Sequence, residues 1–259
     1  MVVRTDAASR RPGRRPWTTP DVRLWTGIAG LAVAVLLVFE FTVRMSMGPR
    51  PALDEPEALV DFISSTSTKS LVKTLTDTVM MGFLIVFHAG LKQLIVEASP
   101  RLSWIGDTLF GAGIAFVAVT LVGDSLEAGA ALDTVGAIGE PIAIRALTDG
   151  YLMMFGPMTC VLISVMAASA GYGIHSSGAL PRWAPRVAYV VAILNLAGML
   201  TTFGGTSNEA WYSVGGWGAA AFATFPWLAW VIAVSVAVFL ERRAELRAGA
   251  GAALLIPEA

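Results

Sequence analysis

Six apolar runs, each long enough to cross a bilayer, constrain this chain more than any other feature. A transmembrane helix needs about 20 mainly apolar residues to cross about 30 Å of hydrocarbon. Runs of that kind occupy residues 24–44, 71–95, 103–122, 143–170, 183–203 and 219–240. Strands of a membrane barrel would instead alternate in polarity over short segments, and none do. The expected fold is therefore all-α, a polytopic bundle of six transmembrane helices spanning residues 23–243. Composition agrees: 55% of the 259 residues are hydrophobic and 14% charged, with a mean hydropathy of +0.67, more apolar surface than a water-soluble domain can hide. A net charge of −1 gives no argument for nucleic acid as a partner. The single cysteine, Cys160, excludes a disulfide framework within the chain.

Charge between the runs sets the expected orientation. Arg4, Arg10, Arg11, Arg14, Arg15 and Arg23 precede the first run, and Arg242, Arg243 and Arg247 follow the sixth, which by the positive-inside rule puts both termini in the cytoplasm. Lys92 and Arg101, then Arg182 and Arg186, fall on the same side, whereas Asp54, Glu55, Glu57, Asp61, Asp124, Glu127, Asp133 and Glu140 fall opposite. Trp25, Trp104, Trp183, Trp211 and Trp217 lie at run ends, where an amphipathic indole suits the headgroup zone. Ser9-Arg10-Arg11 before an apolar run superficially resembles a twin-arginine signal. However, Pro12 and Gly13 stand where that signal carries apolar residues, and no small-x-small cleavage site follows Arg44. Residues 1–22 are expected to be a disordered basic tail with a topogenic role or affinity for anionic lipid, and residues 244–259 a second cytoplasmic tail.

Ionisable residues inside the runs are the candidates for chemistry. Asp77, Met81, Leu84 and His88 fall at i, i+4, i+7 and i+11, one stripe of the second helix. Asp77 and His88 mark its outer and inner ends, about three turns apart. The fourth run repeats the pattern: Arg145-Ala146-Leu147-Thr148-Asp149 parallels Lys73-Thr74-Leu75-Thr76-Asp77, and each is followed by paired methionines. Pro100-Arg101 and Pro181-Arg182 follow in turn. Residues 123–128 (GDSLEA) then match 205–210 (GTSNEA), which raises a parallel repeat of helix pairs of the kind found in transporters. Glu40, Asp77 and Asp149 each have a base four residues away, Arg44, Lys73 and Arg145. These pairs can be local, with the bases snorkelling to the outer headgroups. Alternatively the three acids converge on an outward-facing cavity as a substrate or ion site, since intramembrane acids usually face the bundle interior, and crowding would make one a candidate proton carrier. His88 and Asp107, at similar depth on neighbouring helices, can form either a proton relay or a structural interhelix hydrogen bond. Asn195 is read as structural.

Other chemistries have less to stand on. His88 and His175 are the only histidines and fall far apart in depth, so no haem-pair or His-rich metal site is expected, and no phosphate loop or other cofactor motif is present. A hard cation on Glu40, Asp77 and Asp149 has no supporting spacing. Cys160 has no base near it in sequence and reads as packing. Pro157 and Pro226 are expected to kink the fourth and sixth helices, and Gly215, Gly216, Ala219, Ala220 and Ala223 to allow close packing at the outer end of the sixth.

The loop Ser177-Gly178-Ala179-Leu180-Pro181-Arg182-Trp183, leading directly into a helix, resembles the corresponding loop of a large uncharacterised family of six-span membrane proteins of high-G+C bacteria. The layout of residues 24–243 is similar too, with a long outer loop after the first span, an acidic outer loop after the third and a short basic tail. The resemblance implies a multi-pass protein of the inner membrane and no particular activity. The first expectation for function is a small-solute or ion transporter, or its accessory subunit. The alternatives are an intramembrane isomerase or cyclase acting on a lipid or isoprenoid through an Asp or Glu general acid, and a structural or interaction protein without its own chemistry. Membrane lipid is the expected partner, with a homo-oligomer or a membrane complex left open.

Overall fold

A computed structural model describes residues 21–135, 139–207 and 210–253. The predicted N-terminal tail before residue 21, part of the second GTSNEA-type match (Asn208 and Glu209), and residues 254–259 lie outside it. Helix α1 (Val22–Met45) starts where the Asp21 carboxylate accepts the Leu24 N–H at 3.0 Å, satisfying one of the first-turn donors that have no partner within the helix. Helix α2 (Pro56–Ala98) opens on a proline, whose missing N–H costs nothing in a first turn. At 43 residues it is roughly 65 Å long, about twice the hydrocarbon thickness. The long loop expected after the first span is therefore largely helix, and α2 projects well beyond the bundle's apolar belt.

Helix α3 (Ser103–Asp133) also runs on well past residue 122, so that Asp124 and Glu127 sit on a helix rather than in a loop. The fourth span is α4 (Pro141–Met153), a π-helical turn (Met154–Met158) and α5 (Thr159–Ser177). Its break has a local cause. Gly156 is non-helical at φ −89°, ψ −105°, and Pro157 has no N–H for the ladder. The fifth span is α6 (Trp183–Gly198), continued by a 3₁₀ segment (Met199–Gly204). The sixth joins the short α7 (Trp217–Ala219) through a second π turn (Ala220–Thr224) to α8 (Phe225–Ala253), and Pro226 falls just after that turn. The kink expected at Pro157 is thus present, and at Pro226 the regular helix is preceded by a π turn. Gly178, at φ 68°, ends α5 by giving its N–H to the Ile174 carbonyl at 2.9 Å, a left-handed C-cap that favours glycine.

Six helical segments are long and apolar enough to span a membrane, which makes this a multi-pass membrane protein. Phe87, Leu91, Trp230 and Val234 anchor the main core between α1, α2 and α8, and a second apolar cluster with Leu59, Ile63, Ala131 and Ile144 packs the projecting part of α2 on α3 and α4. Outside, Val35, Leu75 and Ile193 are 66–69% exposed, a surface suited to lipid and costly in water. Asp21 Oδ2 meets Arg242 Nε at 2.6 Å, which ties the start of α1 to α8. The even number of spans thus brings the start of α1 and the end of the sixth span to one face.

Candidate functional site

Near the opposite face, α1, α2, α3 and α4 bring together a charged cluster built around Lys73. Its Nζ lies 2.8 Å from Glu127, 3.3 Å from Asp77, 3.5 Å from Glu40 and 3.7 Å from Asp124. The five side chains are 0–12% exposed. Each helix contributes through a regular stripe. Val33, Leu37 and Glu40 share the inner face of α1. Lys73 and Asp77 stand one turn apart on α2, and Gly113, Val117, Thr120, Asp124 and Glu127 follow one another along the buried side of α3. Counted from the helix ends at the terminal face, Glu40, Asp77 and Asp124 all lie roughly 30 Å up. The cluster therefore sits inside the bundle at the far edge of the hydrocarbon.

A lone buried ammonium or carboxylate would cost several kcal/mol even after the surroundings relax, so the grouping is what makes each member tolerable. The rings of Tyr151 and Phe155, with centroids 5.4 and 5.3 Å from Lys73 Nζ, add cation–π attraction. Arg50 meets Glu127 at 3.6 Å and lies 5.2 Å from the Tyr151 ring centroid. Asp77 stands in contact with the carboxyls of both Glu40 and Asp124. Among the described residues, four acids thus face three bases, Lys73, Arg50 and the nearby Arg44.

Beside the cluster opens a cavity of about 530 Å³, within the range of small-ligand sites. Glu40, Asp77, Arg44 and Arg50 line its polar part, and Met80, Met81, Phe116, Ile163 and Trp227 its apolar part. Both π turns border it, through Phe155 and Gly156 on one side and Ala220, Ala223 and Thr224 on the other. Breaks in helical bonding tend to fall at functional sites, and this placement fits that pattern. Among the lining residues, the buried Thr120 hydroxyl has no hydrogen-bond partner within the described part of the chain.

The residues singled out from the sequence fare unevenly. Glu40 and Asp77 converge, but Asp149 does not join them: it is half-exposed and contacts Arg145 at 4.0 Å on the outside of α4. Lys73 does not snorkel. The α2 helix continues for several turns beyond it, and α1, α3 and α4 close around it, so it is wholly buried and ties three helices to its own. Glu40 turns to Lys73 instead of Arg44, leaving Arg44 to line the cavity. His88 and Asp107 are not paired. Asp107 is exposed and bonds Lys92 at 2.6 Å, one turn closer to the connecting loop. His88 faces the Gly113 position across α3, wholly buried, and neither ring nitrogen has a hydrogen-bond partner. Asn195 gives its amide to Val191 O at 3.0 Å and to Ala223 O of the sixth span at 3.5 Å, an interhelix bond of the kind read for it.

Asp124, Glu127, Arg50 and Tyr151 were not among the candidates. For the two acids a signal existed: they extend the small-and-polar stripe of α3 from Gly113 through Thr120 at helical spacing. Among the described residues, no group of three or more His, Cys, Asp or Glu is placed to hold a metal ion; the Lys73 ammonium occupies the centre of the acidic group. No family model, curated protein or solved structure matches the chain.

Proposed function

We propose that this chain is a proton-coupled transporter of a small solute in the bacterial inner membrane, or the membrane subunit of one, with both termini in the cytoplasm. The observation that carries the reading is the buried Lys73 cluster forming one wall of a solute-sized cavity near the far face of the bundle. An intramembrane acid facing a cavity is by default a candidate substrate or proton site. Among the described residues the cluster holds one more carboxylate than base, so a proton can balance it. The π turns on two sides of the cavity supply helix breaks about which its walls can move. His88 has no part in this scheme, because the cavity does not extend to it.

The apolar inner half of the cavity, with Met80, Met81, Phe116 and Trp227, favours a second reading, an intramembrane isomerase or cyclase using Asp77 as general acid on a lipid or isoprenoid. The two readings separate in proteoliposomes carrying an imposed pH gradient and offered a panel of labelled amino acids, sugars, amines, organic acids and inorganic ions. Transport predicts that at least one solute accumulates above protein-free vesicles and that a protonophore abolishes the accumulation. If every solute behaves as in protein-free vesicles, the transport reading fails.

A further inference from the structure

We infer that the cavity beside Lys73 binds an organic monocation with an apolar body, and that the cation and a proton compete for Glu40 and Asp77. The inference rests on the transport reading and names its substrate class. Four features of the cavity and the cluster behind it point to a cation. Charge comes first. The groups around Glu40 and Asp77 are Arg44 from α1, Arg50 from the following loop, Lys73 from α2, Asp124 and Glu127 from α3 and Tyr151 from α4. Counted as ordinary ions, these described residues leave the cluster as a whole one negative charge in excess, which one monovalent cation neutralises, while the cavity wall itself sets Glu40 and Asp77 beside Arg44 and Arg50.

The second feature is an accessible acceptor. Glu40 lines the cavity, keeps 12% of its side chain exposed and meets Lys73 only at 3.5 Å through Oε1. Asp77, almost wholly buried, adds a second carboxyl in contact with it. A carboxylate at a cavity wall makes its strongest hydrogen bonds and ion pairs with a charged partner.

The third feature is aromatic. Phe41, Phe116, Phe155 and Trp227 all line the same cavity, and ring faces next to carboxylates are how proteins recognise substituted ammonium ions. Lys73 already sits about this way against Tyr151 and Phe155, so the site accommodates a cation by that chemistry on one side. The fourth is size. About 530 Å³ exceeds what an alkali ion needs, and the methionines of the inner part suit an apolar body of variable shape.

The test is binding to purified, detergent-solubilised protein, followed by the fluorescence of the wall tryptophans and by calorimetry. The probes are benzyltrimethylammonium, L-phenylalanine and 3-phenylpropanoate, similar in bulk but cationic, zwitterionic and anionic. The inference predicts that benzyltrimethylammonium binds at least about tenfold more tightly than either of the others. It also predicts that its affinity falls as pH is lowered, and that Glu40→Gln and Asp77→Asn weaken it by a similar factor while Asp149→Asn does not. The ligand comparison uses the unaltered protein, so it stands even where a variant fails to fold. Equal or tighter binding of L-phenylalanine or 3-phenylpropanoate overturns the inference, as does cation affinity that is independent of pH. Cation binding without proton-coupled uptake would overturn the transport reading alone, and coupled uptake of some other solute without cation binding would overturn this inference alone.

Discussion

Lys73 and Arg145 look alike in the sequence, each a base four residues ahead of an aspartate, yet the bundle uses them in opposite ways. Arg145 and Asp149 are both about half-exposed, and a pair in that setting contributes little because water and headgroups screen it. Lys73 is wholly buried among four carboxylates, so Lys73→Met removes the central charge and leaves acids facing one another. The expected loss is about 3–5 kcal/mol of stability, the usual effect of removing one partner from a buried ion group, against a change within about 0.5 kcal/mol for Arg145→Gln. Thermal unfolding of both variants in one detergent measures the contrast. Sequence could show that Asp77 and Asp149 lie in spans. It could not show which of them faces inward, because that depends on which neighbouring helices close over each face. Asp124 and Glu127 were hidden for a related reason: their charge lowers local hydropathy, which ends the apparent span before the helix itself ends.

The long elements bear out that last point, since hydropathy marks where lipid is tolerated and not where a helix stops. Pro56 at the start of α2, Gly178 at the end of α5, the kink at Pro157 and the π turn before Pro226 follow from backbone chemistry that is legible residue by residue. The junction of α1 with α8 is not, since Asp21 and Arg242 are 221 positions apart. That junction has a pH signature. The Arg242 guanidinium, followed by the Leu24 N–H, holds the Asp21 carboxyl below its ordinary value, about 3.9 when unperturbed. A carboxyl lowered on folding adds stability that is present above the unfolded value and is lost as pH falls through the folded one. Asp21→Asn keeps the helix-capping oxygen and removes the charge. The stability difference between the unaltered protein and Asp21→Asn should therefore be steady near pH 6 and shrink towards zero below about pH 4, as read by thermal unfolding across that range.

At the scale of the whole molecule, six spans surround two unlike interiors. The half near the chain ends is a packed apolar core with His88 isolated inside it, and the far half holds the Lys73 cluster and its cavity. The six-helix architecture was legible because the bilayer demands long apolar helices of any chain that crosses it. The site was legible only in part. Glu40 and Asp77 stood out as acids inside spans, but their assembly around Lys73 depends on α3 and α4 reaching the same height. The central claim is that solute and proton meet at this cluster and not at the similar Arg145–Asp149 pair. Its most direct test is pH-gradient-driven uptake by proteoliposomes containing Asp77→Asn or Asp149→Asn at matched protein levels. The account predicts that Asp77→Asn abolishes gradient-dependent uptake while Asp149→Asn retains it; full uptake by Asp77→Asn would contradict the claim.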